Sequence, residues 1–414
     1  MIRRIDTVVI GAGQAGLAMS RCLTERGVEH VVLERNRVAE RWRRESWDSL
    51  RLLTPNWMSR LPGWSYAGAD PHGFMTAGEV VSYFDRYAQA SAAPVEDDSE
   101  VEHLGLADDG FVVVTPRGRW CAVNVVLATG WCDRAAVPVA ARGLHRSIRQ
   151  VTPGGYTNPS ALAAGGVLVV GASATGVQLA WELAQSGREV VLAVGRHSRV
   201  PRSYRGMDIF WWLERIGSLD RTIDEMPDAG AARREPSLQL AGRPDHLSLD
   251  LDVLRGAGVE VTGRLRWADG RRVGFAPDLT RTVEAAEARL RRLLGAIDAH
   301  VEAAGLTREV LGAERPPSIA VDQQLDELDL EDRGITAVLW ATGYRRAYPW
   351  LHVPVLDASG EIRQRRGRTV VPGLYVLGQR FQHHRNSNFI DGVGRDAITV
   401  ADDLVRRTTA PSRA

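Results

Sequence analysis

The sequence predicts an α/β protein with two parallel-sheet domains, because the same order of buried strand, glycine-rich turn and helix occurs twice. Residues 11–16 read GAGQAG after the apolar run at residues 7–10, and residues 171–176 read GASATG after the apolar run at residues 167–170. In such a unit the N-terminus of the helix binds a pyrophosphate. Two such turns therefore predict two Rossmann-like dinucleotide-binding domains, one inserted into the other.

The first unit ends in an acidic residue. A helix pattern covers residues 17–23, and the second strand, at residues 31–33, is followed by Glu34. Glu34 lies 18 residues past Gly16, close to the spacing of the acid that binds the ribose hydroxyls of adenosine. The alternative is a plain strand–helix–strand unit with a surface glutamate, which the combined context disfavours.

The second unit differs from the first at two points. Ser173 occupies the place of the middle glycine, and the strand at residues 189–194 is followed by GRHSR at residues 195–199 instead of an acid. A ribose 2′-phosphate is repelled by a carboxylate and attracted by a guanidinium, so we assign FAD to the first unit and NADPH to the second. The alternative for Arg196 and Arg199 is that both are solvated loop charges.

The composition excludes several reaction classes. All 52 basic residues are arginine, which leaves no lysine for a Schiff base, a pyridoxal phosphate anchor or an ATP-binding P-loop. Cys22, Cys121 and Cys132 form no CxxC pair, so a dithiol–disulfide reductase is disfavoured and a reducing cytoplasm is predicted. No Cys/His cluster has the spacing of metal ligands, and the sequence therefore predicts no metal site.

Charge and hydropathy limit the partners. The formal net charge of +1 gives no global field that would attract nucleic acid or an anionic membrane. No apolar stretch reaches the ~18 residues of a membrane span, so no stable membrane insertion is predicted. We expect a small-molecule substrate and O2 as partners, and a homodimer is left open.

A second repeated pattern resembles the turns at which two-dinucleotide flavoproteins cross between their domains. Strand-like runs end in an Ala-Thr-Gly turn at residues 128–130 and again at residues 341–343. A stretch rich in proline and glycine, at residues 152–166, is typical of a linker. The predicted domains are an FAD-binding domain of residues 1–155 and 325–414, and an NADPH-binding domain of residues 160–324 with an insert at about 220–320.

The insert has two parts of different character. Residues 236–278 are rich in loop-forming residues, whereas residues 283–304 place apolar side chains at helical spacing. That helix is predicted as scaffold, and a cap over the active site is the alternative. Trp211 and Trp212 are likewise predicted as core or domain interface, with the roof of a substrate channel as the alternative.

These features resemble the class B flavin-dependent monooxygenases, including flavin-containing and YUCCA-like members, and more closely the bacterial CzcO-like proteins. The resemblance rests on the two fingerprints, on RWR at residues 41–43, on WDSL at residues 47–50 and on the two Ala-Thr-Gly turns. It covers nearly the whole chain except the insert. One departure is Gln379, which follows Gly378 where many related reductases have an aspartate.

The resemblance implies which residues hold the cofactors. Trp42 would pack near the flavin, residues 54–56 would line its ring, and residues 388–391 would bring a helix N-terminus to its pyrimidine edge and stabilise the reduced, negatively charged form. The predicted flavin-binding residues are Gly11, Gly13, Gln14, Ala15, Gly16, Glu34, Arg35, Trp42, Arg43, Thr54, Ala128, Thr129, Gly130, Gly378, Asn388, Phe389, Ile390 and Asp391. The predicted NADPH-binding residues are Gly171, Ser173, Ala174, Thr175, Gly176, Arg196, His197, Arg199, Ala341, Thr342 and Gly343.

The activity implied by the resemblance is an FAD- and NADPH-dependent monooxygenase. A flavin C4a-(hydro)peroxide would transfer one oxygen atom to a nitrogen, sulfur or carbonyl centre of a small molecule. The family motif FxGxxxH is reduced here, with Val139 and Ala141 in place of its Phe and Gly ahead of His145. The alternatives are an NAD(P)H oxidase or electron-transfer reductase without oxygenation, and a non-catalytic flavoprotein that acts as a redox sensor.

A polar run at residues 383–388 lies between two elements that the resemblance places at the flavin. A histidine or Arg385 would polarise a substrate or peroxide there. The alternative is a hydrogen-bonded turn in which Asn388 caps the following helix. The candidate catalytic residues are Asn56, His384, Arg385 and Asn388.

Overall fold

Two sheets, each centred on one glycine-rich turn, organise the computed structural model, which describes residues 2–321 and 323–409. Parallel strands followed by helices form the centre of both sheets, which confirms the predicted α/β fold with two Rossmann-like domains. Within the described ranges, no helix combines the length and the apolar character needed to cross a bilayer.

The first sheet is built on the strand Ile2–Ile10. It lies between Gly118–Leu127 and His30–Leu33 and pairs in parallel with both. The carboxyl ends of these strands meet at one edge of the sheet, and the first glycine turn begins there. The other strands of this sheet are Val95–Glu96, His103–Ala107, Gly110–Thr115, Gln364–Arg365, Arg368–Thr369 and Leu374–Val376.

The second sheet repeats this plan around the strand Gly166–Val170. Ile335–Trp340 and Val190–Ala193 pair with it in parallel. Most residues of these three strands are buried, as expected of parallel strands that are covered on both faces. The outer strands are Arg149–Val151 and Glu260–Thr262.

The boundaries between the domains differ from the predicted positions. Arg149–Val151 and Ile335–Trp340 pair within the second sheet, so the predicted boundaries at residues 155 and 325 are wrong. The predicted linker instead contains two short 3-10 helices of the second domain. The chain crosses between the domains at Arg134–Ala135 and Tyr344–Arg345, which pair antiparallel shortly after the two Ala-Thr-Gly turns.

The long helix of the insert, Leu279–Ala303, packs as scaffold, which agrees with the prediction. It buries one face that includes Leu294 and Ile297. The same hydrophobic cluster contains Trp212, whose indole N–H donates to the Tyr204 carbonyl oxygen at 2.7 Å. Trp212 is therefore a core residue, as predicted.

Short elements complete the fold. Strands of three to five residues at Leu265–Asp269, Arg272–Phe275 and Glu327–Asp329 form an antiparallel sheet that begins in the stretch predicted as loop. Runs this short carry too little periodicity to be recognised. Besides Arg134–Ala135 with Tyr344–Arg345, the described two-stranded ribbons are Arg60–Leu61 with Trp64–Ser65, Ser198–Arg199 with Leu238–Gln239, and Ser203–Tyr204 with Met207–Asp208. The other described α-helices are Gln14–Thr24, Glu40–Arg44, Ala77–Ala90, Ala174–Gln185, Ile209–Arg215, Ala229–Arg233, Leu251–Gly256 and Ile390–Thr409.

We predict that Leu294→Ala lowers the free energy of unfolding by about 2–5 kcal/mol, because it leaves a cavity in the cluster that contains Trp212. Leu247→Ala, at an exposed leucine, is the control and changes this free energy by less than about 0.5 kcal/mol. Denaturant unfolding followed by tryptophan fluorescence measures both variants. Equal values for the two would contradict a core role for the long helix.

Candidate active site

The first glycine turn is a close-packed backbone with one open side. A Cβ on Gly11 would lie 2.7 Å from the Ala128 carbonyl oxygen, and a Cβ on Gly16 would lie 1.8 Å from the carbonyl oxygen of Gly11. Beside Gly13, by contrast, a Cβ would meet nothing within 4 Å. This free space lies at the N-terminus of the helix Gln14–Thr24, where a pyrophosphate fits.

Glu34 is buried at the carboxyl end of the second strand, at the position predicted for a ribose-binding acid. Its carboxylate accepts hydrogen bonds from the N–H groups of Ala12 at 2.7 Å and Asn36 at 3.2 Å. Burial raises the pKa of this carboxyl group, while the two hydrogen bonds act in the opposite direction. The carboxylate keeps lone pairs for the hydroxyl groups of a ribose.

The C-terminal part of the chain returns to the first glycine turn. Gly378, at φ +77°, comes so close that a Cβ would lie 2.8 Å from the Cβ of Ala15. The side-chain amide of Gln14 donates to the Asn388 carbonyl oxygen at 2.7 Å, and the helix Ile390–Thr409 begins two residues later. The helix N-terminus that was predicted at the flavin therefore lies near the first turn.

Gln379 adds a polar group beside Gly378. Gln379 is 6% exposed, and its amide makes no well-formed hydrogen bond to the described residues, although the Tyr348 hydroxyl group lies close to it. A buried amide in this state costs free energy unless a bound molecule supplies the missing bonds. Gln379 therefore fits a ligand that carries polar groups, a role that its burial reveals and its motif position does not.

Three predicted flavin-binding side chains have partners within the protein. Arg43 donates to both carboxylate oxygens of Asp85, at 2.7 and 2.6 Å. Asp391 pairs with Arg60, and the ring of Phe389 packs edge to face on a phenylalanine of the second domain. Arg43, Phe389 and Asp391 stay predicted flavin contacts, and any contact with the flavin would add to or replace these partners.

Two other predicted flavin-binding residues of this domain are Trp42 and Arg35. Trp42 is half-buried and packs on the core that contains Ala12 and Ala15. Arg35 is exposed, with its guanidinium 3.8 Å from the carboxylate of Glu45. Both residues stay predicted flavin contacts.

The second glycine turn repeats the backbone of the first. A Cβ on Gly171 would lie 2.4 Å from the Ala341 carbonyl oxygen, and a Cβ on Gly176 would lie 1.8 Å from that of Gly171. Ser173 has φ −81° and ψ −173°, nearly the values of −84° and −170° at Gly13. Because any residue adopts this extended conformation, the serine replaces the middle glycine without backbone strain.

Three arginines form a basic cluster beside the second unit. Arg196 is exposed and donates to the Arg234 carbonyl oxygen at 2.6 Å. Burial lowers the pKa of Arg289 and of Arg380, and the charge of Arg196 acts in the same direction, whereas the carboxylate of Glu235 raises both. We call Arg196, Arg289 and Arg380 the arginine cluster. Sequence reasoning found only Arg196, because the other two lie far along the chain.

Arg199 and His197 are buried inside the second domain. Arg199 is 3% exposed, donates to Asp250 at 2.9 and 2.7 Å, and also pairs with Glu287. His197 contacts the Gly195 carbonyl oxygen at 3.1 Å, and burial lowers its pKa. The prediction that Arg199 binds a 2′-phosphate is wrong, because two carboxylates already pair with its guanidinium, and burial likewise argues against the predicted contact of His197 with NADPH.

Residues that follow the two Ala-Thr-Gly turns come together where the chain crosses between the domains. Tyr344 lies edge to face against Trp131 with 6.3 Å between ring centroids, and the guanidinium of Arg380 lies 5.4 Å from the Trp131 ring. Burial raises the pKa of the neighbouring Cys132 thiol to about 12, so this thiol stays protonated at neutral pH. We call Trp131, Cys132, Tyr344 and Arg380 the crossover cluster. For Trp131, Cys132 and Tyr344, the position directly after a turn was the signal that sequence reasoning missed, whereas Arg380 comes from the segment after Gly378.

Asn56 braces a loop. Its side-chain nitrogen donates to the Asp70 carbonyl oxygen at 2.9 Å, and its side-chain oxygen accepts from the Met75 N–H at 2.7 Å. Asn56 is also buried. These bonds correct the prediction of a catalytic role for Asn56.

The polar run is tied to the insert. The Ile223 N–H donates to the His383 carbonyl oxygen at 2.7 Å, and the Arg385 guanidinium pairs with Glu235 at 2.6 Å. The Nδ1 atom of His384 lies 3.3 Å from a carboxylate oxygen of Asp396. These contacts favour the hydrogen-bonded turn over the catalytic alternative.

We predict that Arg199→Met lowers the free energy of unfolding by about 3–5 kcal/mol, because the buried carboxylates of Asp250 and Glu287 lose their shared partner. Arg196→Ala, at an exposed arginine, is the control and changes it by less than about 0.5 kcal/mol. Denaturant unfolding without added nucleotide measures both. Agreement of the two values would exclude a structural role for Arg199.

The chain resembles known oxidoreductases over most of its length. The family model for pyridine nucleotide-disulphide oxidoreductases matches residues 8–206. A CzcO-like oxidoreductase of Geobacillus kaustophilus is 32% identical over 404 residues, which cover 97% of this chain and 98% of that protein. The indole-3-pyruvate monooxygenase YUCCA6 of Arabidopsis thaliana is 30% identical over 222 residues, which cover 49% of this chain and 51% of that protein.

A solved structure shares the complete fold. The flavin-containing monooxygenase of Stenotrophomonas maltophilia matches with a TM-score of 0.68 and 21% identity, over 98% of this chain and 100% of that chain. This match shows the shared fold, whereas the family model and the two sequence relatives confirm the resemblance and indicate a flavin and a nicotinamide cofactor. The chain therefore belongs to the CzcO-like oxidoreductases.

Proposed function

We propose that this oxidoreductase is an FAD- and NADPH-dependent monooxygenase that transfers one atom of O2 to a nitrogen, sulfur or carbonyl centre of a small molecule. The convergence of two dinucleotide turns carries the proposal. The turns at Gly11 and Gly171 each pack on an Ala-Thr-Gly turn, and the strands beyond those turns pair at Arg134–Ala135 and Tyr344–Arg345. Two cofactor sites would thus converge on the crossover cluster.

The first turn would hold FAD. The open side of Gly13 accommodates a pyrophosphate, and Glu34 would accept hydrogen bonds from the ribose hydroxyls. The buried amide of Gln379 has bonding capacity left for the polar chain of the flavin. Gln14 and Asn388 link the first turn to the helix Ile390–Thr409, whose N-terminus would favour negative charge on the flavin.

The second turn would hold NADPH. The arginine cluster supplies positive charge, which Glu235 offsets in part, and its member Arg196 follows the strand that corresponds to the one ending at Glu34 in the first unit. Guanidinium groups bind phosphate oxygens through charge-assisted hydrogen bonds, whereas a carboxylate repels them. Arg196 is the member of the cluster that is most open to a 2′-phosphate.

Bound NADPH and flavin would supply hydride transfer and the activation of O2. The chain contributes the surroundings of that chemistry. Trp131 and Tyr344 would exclude water, and the guanidinium group of Arg380 would place a positive charge beside them. Cys132 is a free cysteine with a raised pKa, which disfavours the dithiol chemistry of disulfide reductases.

One observation favours the alternative of an NAD(P)H oxidase or electron-transfer reductase. Val139, at the first position of the reduced FxGxxxH motif, is 77% exposed, and His145 contacts the Ser147 hydroxyl at 2.8 Å. Val139 is thus largely exposed to solvent and His145 contacts a neighbouring serine. Neither residue of the motif therefore supports the assignment of an oxygenation reaction.

The deciding experiment follows the electrons of NADPH. Flavin-loaded protein receives NADPH and isotopically labelled O2 together with a thioether, an amine or a ketone, and a reaction without organic substrate is the control. We expect labelled product, and less hydrogen peroxide per NADPH than in the control. Stoichiometric release of peroxide with every compound would support the oxidase alternative.

We predict that Arg196→Ala raises the KM for NADPH about tenfold while the KM for NADH changes little, because only NADPH carries the 2′-phosphate. Arg266→Ala, at an exposed arginine of the antiparallel sheet, is the matched control. Steady-state kinetics with both nucleotides measures the effect. Equal losses for NADPH and NADH would exclude a phosphate contact for Arg196.

A further inference from the structure

A cluster of two histidines and one aspartate lies outside the two dinucleotide turns. The Nδ1 atoms of His384 and His383 lie 3.3 Å and 3.8 Å from the same carboxylate oxygen of Asp396. One potential ligand atom from each residue lies within 4.8 Å of the other two. We propose that His383, His384 and Asp396 bind a divalent transition-metal ion, with Zn²⁺ as the reference ion.

The distances suit a tetrahedral site. Zn²⁺ takes imidazole nitrogen and carboxylate oxygen at about 2.0–2.2 Å, which puts neighbouring ligand atoms about 3.3–3.5 Å apart. The two measured distances lie near this range, so small side-chain shifts complete the geometry. Two histidines and one carboxylate leave a fourth position for water.

Burial gives an independent reason for a cation. Asp396 is 2% exposed, and its Oδ2 has no hydrogen-bond partner among the described residues. Its contact with His384, at 3.3 Å, is longer than the roughly 2.7–2.9 Å of a strong charge-assisted bond. A buried carboxylate with so few partners costs free energy, and a bound metal ion would remove that cost.

The fold directs both histidines from one tight turn. The N–H groups of His383 and His384 donate to the Ser387 hydroxyl at 3.1 and 2.9 Å, and the two rings lie 4.0 Å apart between centroids. Asp396 comes from the helix Ile390–Thr409. The metal ion would therefore clamp the C-terminal loop to the helix whose N-terminus lies near the first glycine turn.

The surroundings permit a cation to enter. The side chains of His383 and His384 are 14% and 16% exposed. Arg366 is a neighbouring positive charge, and its guanidinium pairs with Asp224 at 2.6 Å, which offsets that charge. Sequence spacing predicts no metal site here, because Asp396 follows His384 by 12 residues and only the fold brings them together.

The test is titration of the chelator-treated, full-length protein with Co²⁺, followed by displacement with Zn²⁺. The visible absorption of Co²⁺ reports its coordination, and calorimetry reports the stoichiometry. We expect one ion per chain, and at least about tenfold weaker binding for Asp396→Asn and for His384→Asn. His145→Asn, at an exposed histidine outside the cluster, should bind like the unchanged chain.

A stability measurement makes the test independent of binding at unrelated surface groups. Zn²⁺ should raise the midpoint of thermal unfolding of the unchanged chain and of His145→Asn, but not of His384→Asn. Circular dichroism checks that each variant folds. If Asp396→Asn misfolds because Asp396 is buried, His384→Asn, at a partly exposed residue, still tests the site. Absence of saturable binding by the unchanged chain, or equal affinity in all variants, would overturn the proposed site.

Discussion

The close approach of each glycine turn to the Ala-Thr-Gly turn behind it determines how the rest of this chain is arranged. A Cβ at Gly11 or Gly171 would stand 2.7 or 2.4 Å from a carbonyl oxygen, a distance that no side chain tolerates. These contacts fix the start of the helix after each turn, and with it the side from which a phosphate can approach. The same Ala-Thr-Gly turns lead into the strands that join the domains. The relative position of the two proposed cofactor sites would therefore depend on the contacts between the glycine turns and the Ala-Thr-Gly turns.

Charge of opposite sign distinguishes two otherwise similar backbones. The strand after the first turn ends in the buried carboxylate of Glu34, whereas the equivalent strand of the second unit ends near Arg196, Arg289 and Arg380. The equal backbone angles of Gly13 and Ser173 indicate that this difference does not require a change of main-chain path. Nucleotide preference would therefore arise from a few side chains placed on a common scaffold.

Local sequence predicts the parts of the fold that depend on neighbouring residues, and it fails where distant segments meet. Both glycine turns, their flanking strands and helices and the long helix of the insert were predictable from adjacent residues. Arg199 was not, because Asp250 and Glu287, which enclose it, lie 51 and 88 residues away. The predicted domain boundaries are wrong for another reason. Proline and glycine mark turns in general, whether a turn lies between domains or within one.

The insert and the C-terminal loop complete each other through their backbones. The Ile223 N–H binds the His383 carbonyl oxygen, and the Arg385 N–H binds the Arg221 carbonyl oxygen. Such pairing requires two matching segments, since neither can satisfy its polar groups alone. A chimera that took its insert from a relative would therefore have to preserve the backbone path of residues 379–389. The shape of the insert is thus coupled to a segment about 160 residues further along the chain, and an exchange of one changes the support of the other.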